Sequence, residues 1–153
     1  MSRAEGGLAR TTQADKRETA RLEDYLEAIY HLIHDRGYAA TLDIADALAV
    51  RPPTVSSMLR KLAAGGYLVH ERYRGMKLTA KGEKIAKSVI ARHRIISELL
   101  TLLGVETEVA YQDTEGIEHH IHPDTTYRLE KLVDFLRRNP EHLRVIRTHI
   151  EEE

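Results

Sequence analysis

The stretch Asp43–Leu78, DIADALAVRPPTVSSMLRKLAAGGYLVHERYRGMKL, decides how this chain folds. Thr41 stands where a side-chain oxygen can cap a short helix over Leu42–Leu48, with Ile44, Ala45 and Leu48 turned inward. Asp43 and Asp46 suit the positive end of that helix. After Ala49-Val50-Arg51 come Pro52 and Pro53, tolerated in a helix's first turn because the missing N–H has no partner to lose there. A second helix is therefore expected over Pro52–Ala64, with Val55, Leu59 and Leu62 as its apolar stripe and Gly65-Gly66 as its stop. Tyr67–Arg72 reads as a strand, Tyr73-Arg74-Gly75 as a turn and Met76–Leu78 as the returning strand. Two short helices across a tight turn, followed by a hairpin, form the pattern of a winged helix-turn-helix, whose second helix enters a major groove.

On the N-terminal side, Leu22, Tyr25, Leu26, Ile29 and Ile33 keep the helical period from Arg21 to His34, and Gly37 fits the stop. Residues 1–20 lack such a stripe and read as a flexible tail, helical near its end. Its Arg3, Arg10, Lys16 and Arg17 can touch a DNA backbone, although solubilisation is the simpler reading. On the C-terminal side, Thr79 caps a long helix over Ala80–Leu103, stopped by Gly104. A helix over Glu106–Ile121 is broken by Pro123, another spans Thr125–Arg138, and Asn139-Pro140 opens a last one over Glu141–Ile150. The expected fold is mainly α. A tail, 1–20, precedes a winged helix-turn-helix, 21–80, with a small β-hairpin wing. An all-helical metal-binding and dimerisation domain, 81–153, follows.

Composition bounds the function. The 153 residues include no Cys, which excludes disulfides and thiolate metal sites. No segment approaches the ~20 apolar residues of a membrane helix, and the N-terminus lacks the apolar run of a signal peptide, so a cytoplasmic protein is expected. With one Phe and no Trp, an aromatic-lined pocket for an organic ligand is not expected. The net charge of −1 conceals a segregation. Residues 1–49 carry six Lys+Arg against nine Asp+Glu, residues 50–94 eleven against two, and residues 95–153 six against thirteen. A basic centre suits phosphate and acidic flanks suit cations. Arg51, Pro52, Thr54, Ser56, Ser57, Arg60 and Lys61 on the second helix, with Arg72, Arg74 and Lys77 on the wing, are the candidate contacts to double-stranded DNA.

Six side chains with only oxygen and nitrogen donors flank this module: Asp24, Glu27, His93, Glu115, Glu118 and His119. Asp24 and Glu27 are spaced i, i+3, and Glu115, Glu118 and His119 i, i+3, i+4, so each set projects from one helix face. Taken singly, each has a bland reading as a solvated acid or a packed histidine. His120 and His122 are ordinary by default, and His31, His34 and His70 carry no role in this reading. Leu129, Leu132, Val133 and Leu136 form a stripe suited to a homodimer contact, intramolecular packing being the alternative.

The stretches LEDYLEAIY, DIADALAVRPPTVSSMLRKL, YLVHERYRGMKLTAKGEKIA, ARH and EGIEHH, in this order over about residues 22–138, resemble the diphtheria-toxin-repressor family, and closely its manganese transport regulator branch. The resemblance implies that the six side chains ligate a paired metal site. One division gives Asp24 and His93 to one ion and Glu115 and His119 to the other, with Glu27 and Glu118 bridging. Iron-responsive members typically have Met at the position of Asp24 and Cys at that of Glu118, so Asp and Glu here point to Mn²⁺, two per subunit, with Fe²⁺, Co²⁺, Zn²⁺ or Cd²⁺ as substitutes. The family's iron-sensing branch often adds an SH3-like domain; this chain closes with the helix expected at Glu141–Ile150, and no function of that domain is carried over. The expected function is a metal-activated dimer that binds operator DNA and represses metal-uptake genes, with no organic cofactor and no enzymatic activity. A di-metal oxidase would need a second Glu-x-x-His motif, which the sequence lacks. Response to iron, another divalent metal or an organic ligand is the alternative.

Overall fold

In the computed structural model, which describes residues 12–72 and 75–152, the order is α1 (Gln13–Arg36), α2 (Thr41–Ala47), α3 (Pro52–Ala64), β1 (Leu68–Glu71), β2 (Gly75–Leu78), α4 (Ala80–Leu102), α5 (Thr107–Ile117), a 3-10 turn (Glu118–His120), α6 (Pro123–Arg138) and α7 (Pro140–Glu151). The fold is mainly α with one two-stranded antiparallel hairpin, as expected. Among the described residues no helix is long and apolar enough to cross a membrane.

Helix α1 begins eight residues before the apolar stripe at Arg21 because Thr12 and Asp15 form a reciprocal capping box. The expected tail is therefore helical from Gln13, while the residues before Thr12, Arg3 and Arg10 included, lie outside the described ones. Gly37 ends α1 at φ 82, a backbone state that costs glycine little. In α2, Thr41 is the first helical residue and Ala40 the uncapped N-cap, one position away from the expected arrangement. Ala49 takes φ 52 in the turn before α3, an uncommon state for a residue with a Cβ.

Tyr25, Leu26, Ile29, Ile44, Val55, Leu59, Leu62, Leu68 and Met76 close one core under the helix-turn-helix and wing. Burying such aliphatic side chains contributes about 1.5–3 kcal/mol each. The wing pairs Leu68 with Leu78 and Glu71 with Gly75. Alternation along β2 buries Met76 and Leu78 and leaves Lys77 exposed, as the two-residue period of a strand requires. Thr79 caps α4 through the Gly82 amide and donates its hydroxyl to the Gly66 carbonyl at 2.7 Å. Gly82 packs so closely under the wing that an added Cβ would stand 2.1 Å from the Tyr67 carbonyl oxygen. Helix α4 is thereby fixed to the wing at one end, and along its length it packs against α1, α5 and α6.

Candidate metal centre

Helix α1 buries Tyr25, Leu26 and Ile29 and carries Glu23, Asp24 and Glu27 along its partly covered edge. Helix α4, lying against α1, brings His93 to that edge. The third contributor is not the continuous helix expected over Glu106–Ile121. Helix α5 stops at Ile117, after the poor helix former Gly116, and the chain tightens into the 3-10 turn that carries Glu118 and His119. Glu118 is thereby 1% exposed, while Glu115, still on α5, is exposed.

Donor atoms of His93, Glu115 and Glu118 lie within 4.8 Å of one another. His93 Nδ1 is 2.8 Å from Glu118 Oε2 and 3.2 Å from Glu115 Oε1. His119 Nε2 is 2.8 Å from Asp24 Oδ1 and 3.5 Å from Glu118 Oε1. Glu118 is shared between the two imidazoles. Among the side chains themselves, Asp24 lies by His119 and Glu115 by His93. Glu27 lines the same open cleft of about 690 Å³, together with Asp24, His93, Glu115, His119 and Tyr111. Its own contact is with His31, at 3.7 Å.

The electrostatics follow from burial and neighbours. Burial pushes the Glu118 carboxyl up to about 7, against the pull of His93 and His119. Burial also raises the Glu27 carboxyl, with Glu115 and Asp24 adding to it and His31 and His93 opposing. His119 is raised to about 10, first by its hydrogen bond to Asp24 and then by that to Glu23. Four carboxylates, Asp24, Glu27, Glu115 and Glu118, thus face two imidazoles. A hard or borderline divalent cation fits this donor set and supplies the positive charge that the buried carboxylates lack.

Sequence reading missed three residues here. Glu23 Oε2 accepts from Arg92 Nη2 at 2.7 Å and lies 2.7 Å from His119 Nδ1. Burial pushes the Glu23 carboxyl up, but the bonds from His119 and Arg92 outweigh it and hold it below the ordinary range. A carboxylate only accepts, so Nδ1 carries a proton toward Glu23 and Nε2 carries one toward Asp24, which a cation at Nε2 would displace. Tyr111 sets its ring edge-on to His93 at 5.0 Å, and the neighbouring Glu115 charge raises its hydroxyl. The available signal was adjacency: Glu23 precedes Asp24 and Arg92 precedes His93, at positions that helical packing turns inward.

On the opposite side of the helix-turn-helix, α3 exposes Arg51, Pro52, Thr54, Ser57, Arg60 and Lys61, with Ser56 half-buried. Lys61 Nζ lies 3.3 Å from Glu18 of α1, and Lys77 Nζ 3.6 Å from Glu71. Arg72 is exposed; Arg74 lies outside the described residues. The apolar stripe of α6 divides. Val133 and Leu136 are 3% and 1% exposed, covered within this chain where α6 packs on α4, while Leu129 is half-buried and Leu132 exposed. A helical period reveals a stripe but not what covers it, and Tyr127 and Phe135 are the other large exposed apolar groups on α6.

A DNA-binding fold whose first helix shares a carboxylate–imidazole cluster with a helical second half defines a metal-dependent transcription regulator. The profile "Iron dependent repressor, N-terminal DNA binding domain" matches residues 18–76, and "Iron dependent repressor, metal binding and dimerisation domain" matches residues 79–147. The HTH-type transcriptional regulator MntR of Shouchella clausii is 48% identical over 79% of this chain and 85% of its own length. MntR of Bacillus subtilis is 46% identical over 76% and 82%. The solved manganese regulator SloR is 30% identical with TM-score 0.66, over 74% of this chain, which spans about half (54%) of that longer protein. The chain belongs to the iron-dependent (diphtheria-toxin) repressor family, in its manganese transport regulator branch, a family of DNA-binding regulators and not of enzymes.

Proposed function

We propose that this protein is a manganese-responsive repressor: a homodimer that binds operator DNA when Mn²⁺ occupies the cluster, and so shuts down metal-uptake genes in the cytoplasm. The observation that carries the reading is the position of the cluster. Its donors come from α1 beneath the reading helix, from α4 and from the α5–3-10 segment, so an ion held there ties the winged helix to the second half.

In this reading Asp24, Glu27, His93, Glu115, Glu118 and His119 hold two ions per subunit, with Glu118, shared by both imidazoles, as the bridge. The bound cation supplies fixed positive charge among carboxylates; it takes part in no bond-making. Glu23 keeps His119 in the tautomer that offers Nε2, and Arg92 keeps Glu23 in place. Oxygen-rich donors suit Mn²⁺, and the two imidazoles also accept Fe²⁺, Co²⁺, Zn²⁺ or Cd²⁺. Rigidifying α1 against α4 and α5 sets the spacing of two reading helices, which must meet half-sites about 34–36 Å apart or a multiple of it. Arg51, Pro52, Thr54, Ser56, Ser57, Arg60 and Lys61 read the groove, and Arg72, Arg74 and Lys77 follow the backbone. The exposed part of α6, with Leu132 and Leu129, serves the dimer contact that the stripe of Leu129, Leu132, Val133 and Leu136 suggests; Val133 and Leu136 support it from within.

The test is fluorescence anisotropy with a duplex selected from a random pool by the Mn²⁺-loaded protein, titrated with and without Mn²⁺, while bound metal is counted on the same sample. Coupling of about 1–3 kcal/mol is expected between metal and DNA. Equal affinity in both titrations overturns the reading.

A further inference from the structure

The end of α3 is tied to the start of α4, the helix that carries His93. Past the last turn of α3 the carbonyls of Gly65 and Gly66 have no partner within the helix. Lys81 Nζ donates to the Gly65 oxygen at 2.8 Å, and the Thr79 hydroxyl to the Gly66 oxygen at 2.7 Å. The Lys81 ammonium also stands over the Tyr67 ring, 4.1 Å from its centre, where the negative face of the ring attracts a cation. The backbone closes the same joint. The Thr79 amide donates to the Tyr67 carbonyl at 3.0 Å, and the Tyr67 amide to the Leu62 carbonyl of α3 at 2.9 Å. Gly82 lies against that Tyr67 carbonyl with no room for a Cβ. Lys81 precedes His93 by twelve residues, about 18 Å along one helix. Helix α4 is thus a lever with the end of α3 at one point and an imidazole of the cluster at another.

We propose that Lys81 is a positioning residue for DNA recognition: by holding Gly65 and Tyr67 it makes α3 follow α4, so that an ion fixed at His93 sets the angle of the reading helix. Thr79 and Lys81 hold neighbouring carbonyls from two points, and two attachments restrain a rotation that one would allow. The Lys81 ammonium is already engaged with a carbonyl and a ring, and it would have to leave both to reach a phosphate. The inference rests on the reading of the cluster as a metal site that governs DNA binding.

The experiment measures DNA affinity by anisotropy, with and without Mn²⁺ and at several salt concentrations, for the wild type, Lys81→Met and Lys81→Arg. Each protein is also titrated with Mn²⁺ in the calorimeter without DNA. Lys81→Met keeps the bulk of the stem and loses the donor and the charge; Lys81→Arg keeps the donor, the charge and the attraction to the ring. Mn²⁺ is expected to raise the DNA affinity of the wild type by about 5–150-fold. For Lys81→Met the factor falls to about a third of the wild type's or less, and Lys81→Arg restores most of it. The Mn²⁺ isotherm without DNA and the salt slope of DNA binding stay at their wild-type values. Because Lys81 is exposed, its replacement leaves the core intact, which circular dichroism verifies. A factor for Lys81→Met equal to that of the wild type overturns this inference and leaves the metal reading standing. A salt slope lower by about 0.9 also overturns it, because Lys81 is then a phosphate contact. If Mn²⁺ leaves the DNA affinity of the wild type unchanged, both readings fall.

Discussion

The exposed side of α3, proposed to face DNA, and the cluster below it are built on opposite principles. On α3, Arg60 and Lys61 stand in solvent, and Lys61 has an exposed ion pair with Glu18 that contributes at most about 1 kcal/mol. In the cluster, Glu118 is buried, His119 is held by two carboxylates, and Glu23 is anchored by the buried Arg92. A phosphate backbone is recognised by charge that can adjust, so loose side chains suffice. A small cation discriminates by donor geometry, so its ligands must be fixed before it arrives.

The sharpest way to break this contrast is Glu118→Gln, which removes the carboxylate shared by both imidazoles. Manganese affinity is expected to fall at least about 100-fold, and metal-dependent DNA binding with it. Titration calorimetry with Mn²⁺ and anisotropy with DNA provide the check; an unchanged isotherm would exclude Glu118 as a ligand.

The next effect is pH. Coordination requires that His119, held up at about 10, give up its Nε2 proton and that Glu118, pushed up to about 7, be ionised. Protons therefore compete with metal, and Mn²⁺ affinity should rise by up to about 100-fold per pH unit near pH 6, where both groups give up a proton, and by about tenfold per unit near pH 8, where only His119 does. Calorimetry in buffers of different ionisation enthalpy counts the protons released. Affinity that stays flat across this range contradicts the assignment of His119.

Glu23→Gln keeps the shape and removes the charge that orients His119. A loss of about 10–100-fold in metal affinity is expected, with the α3 surface and metal-independent DNA binding unchanged. At the joint between wing and α4, Gly82→Ala drives a methyl into the Tyr67 carbonyl and should cost about 1–3 kcal/mol in urea denaturation. The smallest effect belongs to the exposed side: Arg60→Ala with Lys61→Ala should reduce the salt slope of DNA binding by about 2, leaving metal affinity unchanged.

Much of the fold was legible in the sequence. Pro52 and Gly65 bracket α3, Thr79 caps α4, and the wing strands lie within two residues of their expected bounds. Two of the departures share one cause. At Gln13–Ala20 a capping box outweighs the lack of an apolar stripe, and at Asn139 the side chain donates to the Phe135 carbonyl instead of capping α7. At Ile117 the helix tightens into a 3-10 turn. Polar hydrogen bonds of this kind leave no period in the sequence.

For the candidate site, residue type and spacing drew attention to six donors, each with a bland reading on its own, and the family resemblance was what implied that together they are ligands. Which donor faces which was decided only by the packing of α1 on α4 and by the turn at Glu118, as was the choice of Val133 and Leu136 for the interior of the chain. Local periodicity fixes the face on which a side chain leaves its helix; the distance to its partner depends on how helices far apart in the chain come together.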